Sequence, residues 1–476
     1  MSKAKFYLDG HGCAKNQVDG EEIAARLEAS GYVWVESADE ADIVIVNSCG
    51  FIDDAKRESI NAVIDWKTAY PTKRVILAGC LAQRYATELA ESLPEADGIV
   101  GNTDLGAVVD AAREALDGRR PVLVERPEAA QAAGSFRRGR LLDFPGTAHV
   151  KITEGCSNRC TYCAIPLIRG PLRSRPVAEI VEECAWLVGR GAKELVLIGQ
   201  DLGSFGKDIS GEGAAQGAGA ETKSLLPELF RALASLPGDF RVRTLYIHPD
   251  NFPRGILPIM AEHPRLLPYF DLPFQHASAP ILHAMNRRGS AETYLGLISD
   301  IRAALPEAVI RSTFLVGFPG ETEEDFAVLR AFQEEARLDW LGAFTYSREE
   351  GTPAYSMKGR VPKKVAEARK KAVEEAQERI TPERLERFVG RELEVLVEER
   401  VASKAGDDGD AGSVGDAGDS EELSLGRAWF QAPEVDGLVV LRGSLEPGAM
   451  VRAKVLAVTG VDLDAIPVTQ APEAAR

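Results

Sequence analysis

Short apolar runs alternate with amphipathic stretches along most of this 476-residue chain. Near the N-terminus, KFYLDGHGC, ADIVIVNSC and RVILAGC are β-rich runs, and helical patterns such as EEIAARLEAS lie between them. A fourth run, DGIVGN, follows. Alternation of this kind predicts a parallel sheet with helices on its faces. The polar stretch RPEAAQAAGSFRRGR near residues 125–140 then reads as a linker.

The alternation resumes in the middle of the chain. HVKITEG, ELVLIGQ, TLYIHP, FDLPFQH, IRSTFLVGF and WLGAFTYS are six candidate strands, separated by helical patterns such as VAEIVEECAWLVGRG. Six such units predict a partial, open parallel α/β barrel. The Gly- and Ala-rich stretch 206–222 has nothing to bury and reads as a flexible insertion. Residues 361–388 carry Lys, Glu, Ala and Arg at helical spacing, which predicts a connecting helix. Beyond it, RELEVLVEERV, LGRAWFQ, GLVVLRG and AMVRAKVLAVTG predict a small antiparallel β-barrel. Residues 405–422 interrupt it with seven acids and no base, a composition expected to be disordered. The α/β chain thus divides into an N-terminal open-sheet domain (3–125), a linker (126–141), a barrel core (142–385) and a C-terminal β-barrel (386–466).

Charge narrows the functions on offer. The formal net charge is −17, a poor match for non-specific nucleic-acid binding, which needs Lys and Arg to meet phosphates. The N-terminal residues contain no apolar signal-peptide core. No stretch approaches the roughly 18 uncharged apolar residues of a membrane helix. A cytoplasmic protein without a membrane partner is expected. Disulfides are not expected in such a setting. That leaves metal ligation, thiol chemistry or core packing for the seven cysteines, Cys13, Cys49, Cys80, Cys156, Cys160, Cys163 and Cys184.

Cys156-Ser-Asn-Arg-Cys160-Thr-Tyr-Cys163 is a C-x3-C-x2-C motif directly after the first barrel strand. Three thiolates on one loop can hold three irons of a cubane and leave the fourth without a protein ligand. An open iron can chelate the amino and carboxylate groups of S-adenosylmethionine (SAM), and an electron can then cleave its sulfonium C–S bond to a carbon radical. A barrel would shield that radical from water, and catalytic groups sit at C-terminal strand ends of such barrels. The alternative is structural zinc, which wants four ligands at closer spacing, and no fourth Cys or His stands nearby.

Cys13, Cys49 and Cys80 have 35 and 30 residues between them, a spacing that says nothing alone. Each, however, ends a predicted parallel strand, the edge where open α/β sheets gather ligands. Gly12, Gly50 and Gly79 lie beside them. The three thiols either converge on one cluster or are separately buried, as free cysteines often are.

The triad resembles that of the radical-SAM superfamily, and Tyr162 stands where that superfamily often has an aromatic. GCAKNQVDGEE, NSCGFIDDAKRESI and AGCLAQRY further resemble the N-terminal signature of the methylthiotransferase family. The resemblance covers nearly the whole chain in the same order: this signature domain, a radical-SAM core, and a small OB-like β-barrel called TRAM. It implies two [4Fe–4S] clusters, one on Cys156, Cys160 and Cys163 for SAM cleavage, and one on Cys13, Cys49 and Cys80 that accepts the transferred sulfur. It places Gln200 in contact with SAM, with Gln275 and Arg311 as further candidates; each is equally explained as strand-end polar packing. Gly20 departs from the family pattern, where a serine is expected. Cys184 matches no motif and reads as core.

The family contains members that modify tRNA adenosine and members that modify an aspartate of a small-subunit ribosomal protein. AIPLIRGPLRSRP and QAPEVDGLVV are similar to the second kind. From Phe388 to Arg476 the net charge is −9, or −2 without the acidic insertion, where a tRNA grip should be basic. An acidic or neutral module suits a basic ribosomal protein. The expected reaction is hydrogen abstraction from the aspartate β-carbon, sulfur insertion, and methylation by a second SAM. The implied partners are that ribosomal protein, an electron donor such as flavodoxin or ferredoxin, and a sulfur donor. His248, Gln275 and His276 are candidates for the pocket wall. A tRNA substrate and a non-enzymatic iron–sulfur scaffold are the competing readings.

Overall fold

The computed structural model describes residues 3–127, 138–209, 223–401 and 422–468. Most of the linker, of the Gly/Ala-rich insertion and of the acidic insertion therefore lies outside the described residues. The N-terminal unit runs β1 (Lys5–Gly10), α1 (Ala14–Ala29), β2 (Val33–Trp34), β3 (Ile43–Ser48), α2 (Asp53–Ala69), β4 (Arg74–Gly79), α3 (Cys80–Arg84), α4 (Ala86–Ser92), β5 (Gly98–Val100), α5 (Ala107–Leu116) and β6 (Val122–Leu123). The strands form one parallel sheet in the order β2-β1-β3-β4-β5-β6. Side chains alternate between the faces of a strand. Ile43, Ile45 and Ile76 accordingly pack with α1 and α5, while Val44, Val46, Val75 and Leu77 pack with Val63 of α2 and Leu89 of α4. Coverage of both faces is why these strands are continuous apolar runs.

The central unit runs β7 (Thr147–Lys151), β8 (Thr153–Glu154), α6 (Ile165–Arg169), β9 (Arg173–Ser174), α7 (Val177–Gly189), β10 (Glu194–Ile198), α8 (Leu226–Ala234), β11 (Arg241–Thr244), α9 (Ile256–Glu262), β12 (Tyr269–Asp271), α10 (Ala279–Ala284), α11 (Ala291–Ala304), β13 (Val309–Val316), α12 (Glu323–Ala336) and β14 (Trp340–Thr345). Six of its strands are parallel, in two groups, β7-β10-β11 and β12-β13-β14, joined by the single bridge Val242↔Leu266. This is the expected open barrel. The third strand ends earlier than the run TLYIHP suggests. Tyr246 adopts φ +65° and donates its N–H to the Asp271 carboxylate (3.0 Å) instead of to a ladder. The N-terminal end of the expected insertion and the C-terminal end of the expected linker are folded. Gly206 donates to Ser174 Oγ (2.8 Å) and Asp208 accepts from the Ser174 N–H (2.8 Å). Arg138, expected in the linker, is buried against Glu21 and Glu183.

Helix α13 (Lys363–Leu385) leads to β15 (Glu392–Val401), β16 (Leu423–Ala428), β17 (Val439–Arg442), β18 (Met450–Thr459) and β19 (Asp462–Pro467). They close a barrel in the order β15-β16-β17-β19-β18. Four of its pairings are antiparallel; β17 and β19 run parallel. The barrel docks on the central unit. Val196, Ile198, Tyr269 and Trp340 share one apolar cluster with Val395, Phe430 and Val439, and with Val18 of α1. Trp340 Nε1 donates to Phe430 O (2.8 Å), and Tyr269 donates its hydroxyl to Asp436 (2.6 Å).

Candidate active site

Because β1, β3 and β4 are neighbours, the residues that follow them are brought together. Cys13 caps α1, Cys49 follows β3, and Cys80 opens α3. The glycines are needed for this approach. A Cβ on Gly12 would lie 2.9 Å from Cys49 Cβ, and one on Gly50 would lie 2.8 Å from Cys80 O. Gly79 has φ +93°, and a Cβ there would lie 2.7 Å from Asn47 Oδ1. Asn16 ties the turns together, donating Nδ2 to Ser48 O (2.7 Å) and His11 O (3.1 Å). Gly20, where the resemblance led to an expectation of serine, packs closely: a Cβ would be 3.0 Å from Leu8 Cδ2.

The sulfurs are met by donors. Arg169 Nη2 and Asn102 Nδ2 approach Cys80 Sγ at 3.2 and 3.3 Å. Cys13 is the most exposed of the three. Burial opposes its thiolate, but Lys15, Arg169 and the N–H groups of Asn16 and Lys15 outweigh that and lower its pKa. Burial raises Cys49, and it pushes Cys80 up to about 12 despite Arg169. Cys49 feels the charge of Cys13, and Cys80 that of Cys13 and Cys49, in keeping with the close approach of the three turns.

The second set lies on the loop between β8 and α6. Cys156 N–H donates to Gly170 O (3.0 Å), and Cys163 N–H to Cys160 O (3.1 Å). Arg159 takes φ +54° to turn the loop. Thr161 is held from two sides, by Ala284 O (2.8 Å) and the Ala354 N–H (2.9 Å). Asn158 donates to Asp201 (2.8 Å). Burial raises all three thiols, Cys156 to about 12. Such thiols are neutral until a bound metal displaces the proton. Among the described residues, no group of His, Cys, Asp or Glu is arranged to hold a single metal ion. A cubane does not require that, since each thiolate takes a different iron. Three thiols per set, donors at sulfur and glycine-lined approaches fit a cluster at each site.

Gly155 fixes the entry to this loop. Its φ is +68°, and a Cβ would lie 2.6 Å from Gly170 O and collide with Pro171 O. Gly155→Ala should therefore cost about 1–3 kcal/mol and displace Cys156. Iron content per reconstituted chain and the melting temperature test this; unchanged values of both would show that the loop tolerates the side chain.

The other expected residues are distributed around the triad. Tyr162 receives a hydrogen bond from Arg287 Nη1 (3.3 Å). Gln200 follows β10 with Nε2 buried and unpartnered among the described residues, an orphan that a ligand would satisfy. Gln275 holds φ +66° and is bracketed by β13, its N–H donating to Thr313 O (2.8 Å). Arg311 is engaged by Asp271 (3.0 Å) and Asp436 (3.4 Å), which takes up its charge. His248 Nε2 is 3.9 Å from Cys160 Sγ. Burial, with Arg287 adding, lowers its pKa to about 3, so it is neutral near pH 7. His276 does not line a pocket wall: it is fully buried, with Nδ1 accepting from the Ser278 N–H (3.0 Å). Cys184 is core.

Between the two cysteine sets lies a buried charge network that sequence reading missed. Arg169 ends α6, the helix that leaves the triad loop, and donates to Asn16 Oδ1 (2.7 Å), Asp19 (2.8 Å) and Glu154 (2.8 Å) as well as Cys80. Lys151 pairs with Asp19 and with Glu154 (2.8 Å). One guanidinium thus joins the segment that carries Cys163 to the sulfur of Cys80. The available signal was Lys15, Asn16 and Asp19 on one stripe of α1, polar yet buried.

Three family models match this chain: Uncharacterized protein family UPF0004 over residues 5–101, Radical SAM superfamily over 150–332, and TRAM domain over 389–468. A protein of Treponema denticola named ribosomal protein uS12 methylthiotransferase RimO is 46% identical, covering 97% of this chain and 100% of its own. Proteins of the same name from Moorella thermoacetica and Cutibacterium acnes are 41% and 38% identical, covering 93% and 98% of this chain and 94% and 99% of their own. Among solved structures, the radical SAM methyltransferase TsrM of Kitasatospora setae superposes with a TM-score of 0.52 at 15% identity, covering 74% of this chain and 77% of its own. That likeness is one of fold.

Proposed function

This chain belongs to the RimO family of ribosomal protein uS12 methylthiotransferases, and on that premise we propose that it adds a methylthio group to the β-carbon of an aspartate in uS12. It is a radical-SAM enzyme that uses two [4Fe–4S] clusters and SAM. Cys156, Cys160 and Cys163 would hold one cluster, and Cys13, Cys49 and Cys80 the other. When bound, the first supplies a carbon radical from SAM and the second the sulfur to be inserted.

The chain's own residues do the rest. Tyr162, Gln200 and Gln275 would border SAM, Gln200 through its unpartnered amide. Arg311 would act at one remove, holding Asp271 and the third module's Asp436 in place. Arg169 would fix the distance between the two sites by grasping Asp19, Glu154 and Cys80 at once. Val18 of α1 and the docked β-barrel pack apolar side chains against Val196, Ile198 and Tyr269 of the central unit, which would limit water around the reacting groups. An electron donor of the flavodoxin or ferredoxin type and a sulfur donor would complete the cycle. No described helix is long and apolar enough to cross a membrane, and the cytoplasm, where ribosomal proteins are made, is the proposed location.

The observation that carries this reading is the pair of cysteine sets joined through Arg169. The test offers uS12 and unmodified tRNA separately to reconstituted protein with SAM and a reductant, followed by mass spectrometry. A methylthio group on a uS12 aspartate, and none on tRNA, is expected. Modification of tRNA adenosine instead would replace the substrate assignment.

A further inference from the structure

Lys15 lies two residues into the first turn after Cys13, and only 6% of its surface is exposed. Its ammonium sits over the Tyr246 ring, 3.7 Å from the centroid. Among the described residues, no carboxylate forms an ion pair with it. The charges that favour its ammonium are the Cys13 thiolate, first, and then two acids that are committed elsewhere. Glu154 binds Lys151 and Arg169, each at 2.8 Å. Asp271 binds Arg311 and the Tyr246 N–H, each at 3.0 Å. Asp19, one helical turn on, is taken by Lys151 and Arg169. Lys15 thus has an aromatic face and the Cys13 sulfur, itself proposed to ligate a cluster, but no carboxylate of its own, and burying a charge is costly until an anion joins it.

Its position says which anion. Lys15 projects from the Cys13 turn towards the ends of β11 and β12, where Tyr246 and Asp271 stand. It therefore lies between the proposed sulfur-holding site and the barrel lumen. In an aspartate the carboxylate is bonded directly to the β-carbon, so a cation that grips the carboxylate also places the reacting carbon. We propose that Lys15 is the substrate anchor, binding the carboxylate of the target aspartate and selecting an acidic side chain over a neutral nucleobase. The assignment rests on uS12 being the substrate.

The test uses full-length protein with both clusters reconstituted, and the variants K15Q and K15R. Affinity is measured for uS12 and for uS12 with asparagine at the modified aspartate; iron content and the electron paramagnetic resonance of each cluster are recorded alongside. A charge-assisted hydrogen bond lost from a buried site should weaken K15Q binding about tenfold or more, with iron content kept and K15R recovering most of the affinity. The asparagine substrate should bind wild type with a similar loss and lose nothing further with K15Q, because both changes remove one interaction. Independent, additive losses would overturn the assignment. So would unchanged uS12 affinity in K15Q combined with lost iron or an altered N-terminal cluster signal, which would make Lys15 a counter-ion to that cluster. Wild-type protein that leaves uS12 unmodified would overturn the functional reading itself, and the anchor with it. Modification of uS12 with additive losses would overturn the anchor alone.

Discussion

Replacing Cys156, Cys160 and Cys163 together by alanine is expected to lower the iron content of anaerobically reconstituted protein from about eight to about four per chain and to abolish SAM cleavage. The expectation follows from separate construction. The N-terminal thiols are positioned by β1, β3 and β4 and by Asn16, and their link to the triad segment runs through Arg169 of α6, not through a triad thiol. The triad is positioned by Gly155, Thr161 and Asn158, which depend on the central unit. Alanine at Cys13, Cys49 and Cys80 should give the converse: about four irons remain, SAM is still cleaved, and no sulfur is inserted. If the first variant held no iron at all, the N-terminal cysteines would be structural and the two-cluster arrangement would fail.

The two cysteine sets were legible because each carries a signal that survives in one dimension. The triad is a local motif, and the N-terminal cysteines each terminate an apolar run that can only be a buried strand. The six-unit barrel was legible for the same reason. The shortest elements were not. β2 and β6 have two residues each and lie at the sheet edges, and β8 pairs with β9 over two residues. β19 carries two acids among its six residues, which hides its buried Leu463 and Ala465. Charged residues misled most. Lys15, Asp19 and Arg138 look like solvated positions, yet all three are buried. Their partners lie far away in sequence: Asp19 meets Lys151 and Arg169, and Arg138 meets Glu21. Hydropathy cannot register a charge neutralised by a distant segment, and here those pairs join the N-terminal unit to the central one alongside apolar packing.

A further charged junction, between the two barrels, gives the strongest prediction about stability. Glu194, at the start of β10, is fully buried and accepts from Arg241 Nε (2.6 Å), Arg243 Nε (2.7 Å) and Arg427 Nη1 (3.1 Å). Arg427 belongs to the C-terminal barrel, so this carboxylate ties the two barrels together. Among the described residues, its companion anion at Arg427 is Glu398. The cluster is short of negative charge: burial lowers the pKa of Arg241 despite Glu194, and Arg243 and Arg427 lower it further. Glu194→Ala removes the central anion and leaves three buried guanidiniums to share what remains. A loss of about 3–5 kcal/mol is expected, the usual cost of stripping one partner from a buried ion pair. It should be accompanied by faster proteolysis of residues 389–468. Denaturant unfolding measures the first and limited digestion the second; a variant as stable as wild type would show that the other contacts between the barrels suffice without Glu194. The effect has a definite pH signature. Burial opposes the charged form of Glu194, but the three arginines hold its pKa well below the ordinary 4.5. The stability it contributes is thus complete above about pH 4.5 and disappears as pH falls through the lower, folded-state value. The gap between wild type and Glu194→Ala should be widest near neutrality and narrow on acidification, whereas a defect caused by lost packing volume would not change with pH.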